Sequence, residues 1–282
     1  MSTVKLHILH CGSISVPADI PYSGNVGAAN NLRGVLAKSD KRISLPVSAY
    51  LIEHPEHGLI LVDTGWSREI RPRGVYDPKA VRRHLPAHLA AFYRPYVPKG
   101  QTVREQLSAM GIEPRDLDLI ILSHFDADHI SGLRDLKGAK RVIVPAEERW
   151  WANRNFYKIR QPESLRRGID IEHVWYKGTP DVPMRWARDI FGDESVQLIC
   201  LAGHTEGQAG IKITNGKRFA VLASDAAFSP RSWREGIVPG YGFNPQYMKL
   251  CLDWLKAQEN DPNCVAVIAN HDPDIEPQTI EI

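Results

Sequence analysis

The sequence predicts a mixed α/β fold with two sheets and helices packed outside them. Short branched-apolar runs read as strands: LDLIIL, AKRVIVP, SVQLICLAG, RFAVLASD and CVAVIANHD. Between them, residues 146–160 and 245–259 carry helical spacing, and strands interleaved with helices point to packed α and β layers. No repeat, low-complexity tract or Gly/Ser linker divides the chain, so residues 1–282 read as a single domain. At 43% hydrophobic and 24% charged, the composition is that of a globular protein able to bury a sizeable core.

Taken in order, residues 4–9 and 47–52 read as short strands. Residues 12–46, rich in Gly, Asn, Ser and Pro, form a long irregular excursion suited to shaping a pocket. GLILVDTG (58–65) is a strand that ends in a tight turn. Residues 78–93 and 101–110 have helical spacing; Thr102 caps the second and Gly111 stops it. His84 and His88 are four apart but flank Pro86, and read as a solvated helix face. Residues 161–195, with Trp175, Trp186 and several prolines, fit no clear period.

The net charge is +2, and the basic clusters at 71–73, 82–83 and 166–167 are short, so a nucleic-acid groove is not expected. No run approaches the length of a membrane span, and the N-terminus lacks a sustained apolar segment. Cys11, Cys200, Cys251 and Cys264 are scattered without a C-x-x-C pair, which fits buried thiols in a reducing, cytoplasmic compartment.

Polar residues gather where the strand-like runs end. LDLIILS runs into His124, followed by Asp126, Asp128 and His129; three later runs end at His204, Asp225 and His271. If these strands share a sheet edge, their C-terminal ends open into one crevice. Seven imidazole and carboxylate groups would then meet, the donor types that divalent transition ions take. Each has a blander reading alone: D-x-D-H can cap a helix, and a lone strand-end histidine is usually a loop residue. The joint pattern favours metal binding.

HFDADH (124–129), GHTEGQ (203–208), SD (224–225), NHD (270–272) and LVDTG (61–65) together resemble the metallo-β-lactamase superfamily, whose signature is H-x-H-x-D-H followed by a strand-end His, a bridging Asp and a final His. The resemblance implies an αβ/βα sandwich of two mixed sheets flanked by helices. It also implies two divalent ions held by His124, Asp126, Asp128, His129, His204, Asp225 and His271, with Asp63 supporting the site. VKLHILHCGSI, LPVSAYLIEHPEHGLILVDTG and YVPKGQTVREQLSAMGIEPRDLDLIILSH further resemble the N-acyl homoserine lactonase group. That group implies lactone opening on a small-molecule substrate by a hydroxide between the ions, with Asp128 passing a proton to the leaving alkoxide. Its members are often dimers.

Two positions depart from the pattern. Asp126 replaces the second histidine, and Phe228 stands where those lactonases carry a tyrosine that donates to the lactone carbonyl, which phenylalanine cannot do. Zinc is the ion the family implies. A carboxylate at 126 lowers the site's net charge from +1 to 0 and shifts preference toward harder ions such as Mn²⁺ or Fe²⁺, and flavodiiron proteins likewise place a carboxylate there. The lower charge also raises the expected pKa of bound water. Asp is shorter than His, so Asp126 either reaches the ion or only supports another ligand. Trp150, Trp151, Phe156, Trp175 and Trp186 read as pocket lining or as core. Thioesters, phosphoesters or other esters remain alternative substrates, and a degenerate binding scaffold is the non-enzymatic alternative.

Overall fold

A computed structural model describes residues 2–24, 41–71, 77–154 and 161–282 of the chain. Among the described residues, thirteen strands form two mixed sheets. The first has the order β13 (Thr279–Glu281), β1 (Lys5–Pro17), β2 (Arg42–His54), β3 (Gly58–Val62), β4 (Leu117–Ile121), β5 (Val142–Pro145) and β6 (Glu172–Val174). It is antiparallel up to β3 and parallel from β3 to β6. The second runs β12 (Cys264–Ala269), β11 (Arg218–Ser224), β10 (Ala209–Asn215), β9 (Val196–Cys200), β8 (Trp186–Asp189) and β7 (Lys177–Gly178), with only β11 and β12 parallel.

Alternate side chains on each strand point to opposite faces, and here both faces are buried. In β4, Leu119 and Ile121 meet Leu222 and Ile268 of the second sheet in the inter-sheet core, while Leu117 and Ile120 turn outward to a second cluster. In β11, Ala220 and Leu222 face the first sheet, and Phe219, Val221 and Ala223 face outward. Helices cover these outer faces. α1 (Pro78–His84), α2 (Ala87–Tyr93) and α3 (Val103–Ala109) supply Val81, Phe92 and Leu107 to the cluster on the first sheet. α4 (Ala127–Ile130) and α5 (Ala146–Ala152) join them there with Ile130 and Ala152. α6 (Pro230–Glu235) and α7 (Pro245–Glu259) supply Trp233, Met248 and Leu252 to the cluster on the second. The expected sandwich is the observed one.

Some boundaries differ. The excursion expected over 12–46 is partly strand: β1 continues to Pro17, and β2 begins at Arg42. β1 survives its Gly-Ser stretch through a bulge between His10 and Ser13. Gly12 adopts φ 91° there, and a side chain would collide with the Tyr96 carbonyl. Residues 25–40 lie outside the described residues. The helix expected over 78–93 is two, because Pro86 forces Leu85 into extended backbone. The unassigned 161–195 segment contributes β6, β7 and β8, and β10 was not expected at all.

Candidate metal centre

β4, β9, β11 and β12 deliver their C-terminal ends to one place, and all seven expected side chains meet there, none more than 4% exposed. One ligating atom each from His124, His204 and Asp225 lies within 4.8 Å of the others, and the same holds for Asp128, His129 and His271. Asp225 joins the two groups. Its Oδ2 is 3.4 Å from His204 Nε2 and 3.3 Å from His271 Nε2, and its Oδ1 is 3.2 Å from His129 Nε2.

Asp126 occupies the N-cap position of α4 but makes no side-chain capping bond. Its Oδ2 turns instead to the first group, 3.2 Å from His204 Nε2 and 3.8 Å from His124 Nε2. The shorter side chain therefore brings one carboxylate oxygen to the first group.

Each imidazole is oriented by its other nitrogen. His129 Nδ1 donates to Asp63 Oδ2 (2.7 Å), His204 Nδ1 to the Tyr241 carbonyl (3.2 Å), and His271 Nδ1 to the Pro46 carbonyl (2.7 Å). Ser123 Oγ donates to Asp63 Oδ2 at 2.7 Å, which leaves it to accept from His124 Nδ1 at 3.0 Å. With Nδ1 protonated, each neutral ring presents an Nε2 lone pair to the centre. Lone pairs of imidazoles and carboxylates thus face each other at little more than 3 Å. Among the described residues, Nε2 of His124, both oxygens of Asp128 and Oδ1 of Asp225 have no hydrogen-bond partner. Buried acceptors so arranged repel unless positive charge lies between them. The donor set fits a pair of divalent cations.

The electrostatics agree. Burial holds the His124 pKa well below the histidine range, and His129 adds to this. Burial works the same way on His129, but Asp225, Asp63 and Asp128 outweigh it and hold its pKa well above that range. Burial raises the Asp128 carboxyl. Burial also opposes the charged form of Asp225, yet His271 and His129 pull its pKa well below the carboxylate range. The carboxylates thus favour positive charge among these side chains.

Support comes from a strained turn. Asp63 adopts φ 58° and Ser224 φ 49°, a region that side chains other than glycine rarely take. The strain aims Asp63 so that Oδ1 accepts from the Ser123 amide (2.8 Å) while Oδ2 serves Ser123 and His129.

Three residues around the centre lie beyond what sequence patterns signal. Glu148 of α5 is fully buried and accepts from the amides of Phe125 (3.0 Å) and Gly207 (3.3 Å), tying the 124–129 loop to the 203–208 loop. A Cβ at Gly207 would collide with the Glu148 backbone. Gln161 and Tyr93 reach Asp126 itself. Phe228 is buried, its ring stacked on His271 at 5.2 Å. Trp150, Trp151, Trp175 and Trp186 gather with Glu206 in a cleft of about 490 Å³ that none of the seven side chains lines. Phe156 lies outside the described residues. His84, expected on a solvated face, pairs with Glu69 at 2.9 Å.

Residues 43–271 match the family model of the metallo-beta-lactamase superfamily, most of the chain. The chain belongs to the metallo-beta-lactamase superfamily. Similar proteins include an N-acyl homoserine lactonase of Rhizobium radiobacter, 24% identical over 82% of this chain and 83% of the relative. Another, from Bacillus thuringiensis, is 27% identical over 77% of each chain. A solved N-acyl homoserine lactone hydrolase with N-hexanoyl-L-homoserine bound at its catalytic metal centre superposes with a TM-score of 0.72 at 22% identity, covering 97% of this chain and 95% of that one. Among the described residues, no helix is long and apolar enough to cross a membrane.

Proposed function

We propose that this chain is a dinuclear metal-dependent hydrolase that opens the ester ring of a lactone, an N-acyl homoserine lactone by preference. The observation that carries this is the pair of buried donor groups sharing Asp225. His124, Asp126, His204 and Asp225 would hold one ion; Asp128, His129, His271 and Asp225 would hold the other. The named relatives support the substrate class. Zinc is the ion the superfamily favours, and the third carboxylate, Asp126, moves the preference toward Mn²⁺ or Fe²⁺.

Two ions bound there supply an activated water at neutral pH and polarise the ester carbonyl. The chain's own residues do the rest. Asp63 and the carbonyls of Tyr241 and Pro46 fix the imidazole tautomers. Asp128, whose oxygens have no hydrogen-bond partner among the described residues and whose pKa is raised by burial, would take the proton released as water attacks the ester carbon and pass it to the alkoxide oxygen as the ring C–O bond breaks. Phe228 offers the substrate an apolar ring beside His271. Residues 1–282 act as one domain, and the free cysteines favour a reducing, cytoplasmic setting.

The test is metal content by mass spectrometry, with acid release from N-acyl homoserine lactones measured on the same preparation. Two ions per chain with lactone opening is the expected result. Two ions with turnover only of thioesters or phosphoesters would replace the substrate, and no bound ion would sink the mechanism. Asp128→Asn should lower turnover by at least about 100-fold.

A further inference from the structure

A carboxylate at position 126 is shorter than the histidine of the family pattern and must be aimed. Its two oxygens have separate surroundings. Oδ2 faces the first donor group, with the Tyr93 hydroxyl donating to it at 3.3 Å; Oδ1 faces Gln161 Nε2 at 3.4 Å. The same Gln161 nitrogen donates to Glu148 Oε1 at 2.6 Å. Both of its hydrogens are therefore directed at carboxylates, and flipping the amide would set its oxygen against them. Glu148 is in turn held by the Phe125 and Gly207 amides, one from each ligand loop. Tyr93 ends α2 with its ring edge-on to the buried Trp66 at 5.9 Å. Donors thus approach Asp126 from two directions, each on a side chain packed in place.

We infer that Tyr93 and Gln161, with Glu148 behind Gln161, are positioning residues that hold Asp126 as a ligand of the first ion. This rests on the two-ion reading above. Tyr93 and Gln161 select one orientation of the carboxylate, leaving one oxygen for the ion while the other is occupied by the amide. Partners of this kind around metal ligands set affinity. A histidine at 126 would not need them, since it is stiffer and longer and has no carboxylate oxygen for Gln161 to hold.

The experiment measures metal stoichiometry, and the two stepwise Zn²⁺ and Mn²⁺ affinities by chelator competition. It compares the wild-type chain with Tyr93→Phe, Gln161→Leu, Asp126→His and the two double variants. His124→Ala identifies which step belongs to the first site. Tyr93→Phe and Gln161→Leu should each weaken that step about 10- to 100-fold and leave the other unchanged. In the Asp126→His background the same substitutions should do nothing further, which a packing role would not produce. Tyr93→Phe removes one oxygen atom, and melting of the ion-free protein checks that it folds. Unchanged affinities in both single variants overturn the inference, as does an effect that persists beside His at 126. Lost turnover in Tyr93→Phe at unchanged affinities also overturns it, and moves the phenol to the substrate. If wild type takes up fewer than two ions, the two-ion reading falls and this inference with it. If wild type and variants alike hold two ions at equal affinity, only the inference falls.

Discussion

Phe228 shows how far a single position can shift the chemistry. Its ring stacks on His271 at 5.2 Å and 28°, three residues after Asp225, and it carries no donor. A donor aimed at a developing oxyanion is worth about 10²- to 10³-fold in turnover. Phe228→Tyr is therefore expected to raise lactone turnover by about tenfold or more with metal content unchanged. Equal turnover in the two proteins would mean that another group already donates. Glu206 makes a separate prediction. Burial and the nearby Glu148 push its carboxyl up to about 7, from 4.5. The folded state then binds that proton more tightly than the unfolded chain, so stability falls as pH rises through this interval. Glu206→Gln should melt above wild type at about pH 8 and level with it at about pH 5; the opposite order would mean that Glu206 is stabilised as an anion. The seven candidate ligands were legible because His124, His204, Asp225 and His271 stand where apolar runs end, with Asp126, Asp128 and His129 close behind the first. Glu148, Gln161 and Tyr93 were not, because their meaning comes from burial among distant segments. A glutamate in a helix's first turn is ordinarily a surface residue favoured by the helix dipole.

Elements were legible where local chemistry decides them. Thr102 caps α3 in a reciprocal box: its hydroxyl accepts from the Glu105 amide at 3.2 Å, and the Glu105 carboxylate accepts from the Thr102 amide at 3.1 Å. Glu105 is also gripped by Arg68, with Nη2 at 2.7 Å. Thr102→Ala should cost about 1 kcal/mol and lower the melting temperature by a few degrees, with lactone turnover unchanged because α3 carries none of the seven candidate ligands. Lost turnover at full metal content would show that α3 couples to the site. Elements decided by tertiary pairing were missed. β10 alternates Ile211 and Ile213 around Lys212 over a stretch too short to stand out, and becomes a strand because β9 and β11 flank it. β7 and β8 follow the same rule at the sheet's edge. Pro86 was visible in the sequence, but only the extended Leu85 before it shows that the helix stops rather than bends.

On the scale of the whole molecule, the centre joins the two sheets. Asp126, Asp128 and His129 follow β4 of the first sheet, while His204, Asp225 and His271 follow β9, β11 and β12 of the second. His271 Nδ1 crosses back to the Pro46 carbonyl in β2. Two cations placed among these groups would bind sheet to sheet, and their removal leaves buried acceptors opposed. Ion-bound protein should therefore be more stable than chelated protein by about 4 kcal/mol per site when free ion exceeds its Kd a thousandfold. For a chain of this size that is on the order of 10 °C in melting temperature. Without ions, Asp225 and its neighbours outweigh burial, holding the pKa of His129 well above the usual histidine range and raising that of His271, which favours protons on both rings. Those protons must leave when the Nε2 lone pairs take ions. Calorimetric titration of ion-free protein in two buffers of different ionisation enthalpy should accordingly report proton release that shrinks as pH rises through the folded pKa values of these rings. Hydrogen exchange should slow on ion addition at the C-terminal ends of β4, β9, β11 and β12 together. Ion uptake that slows exchange in one sheet alone, or that releases no proton, would place the ions somewhere other than between the strands these seven side chains follow.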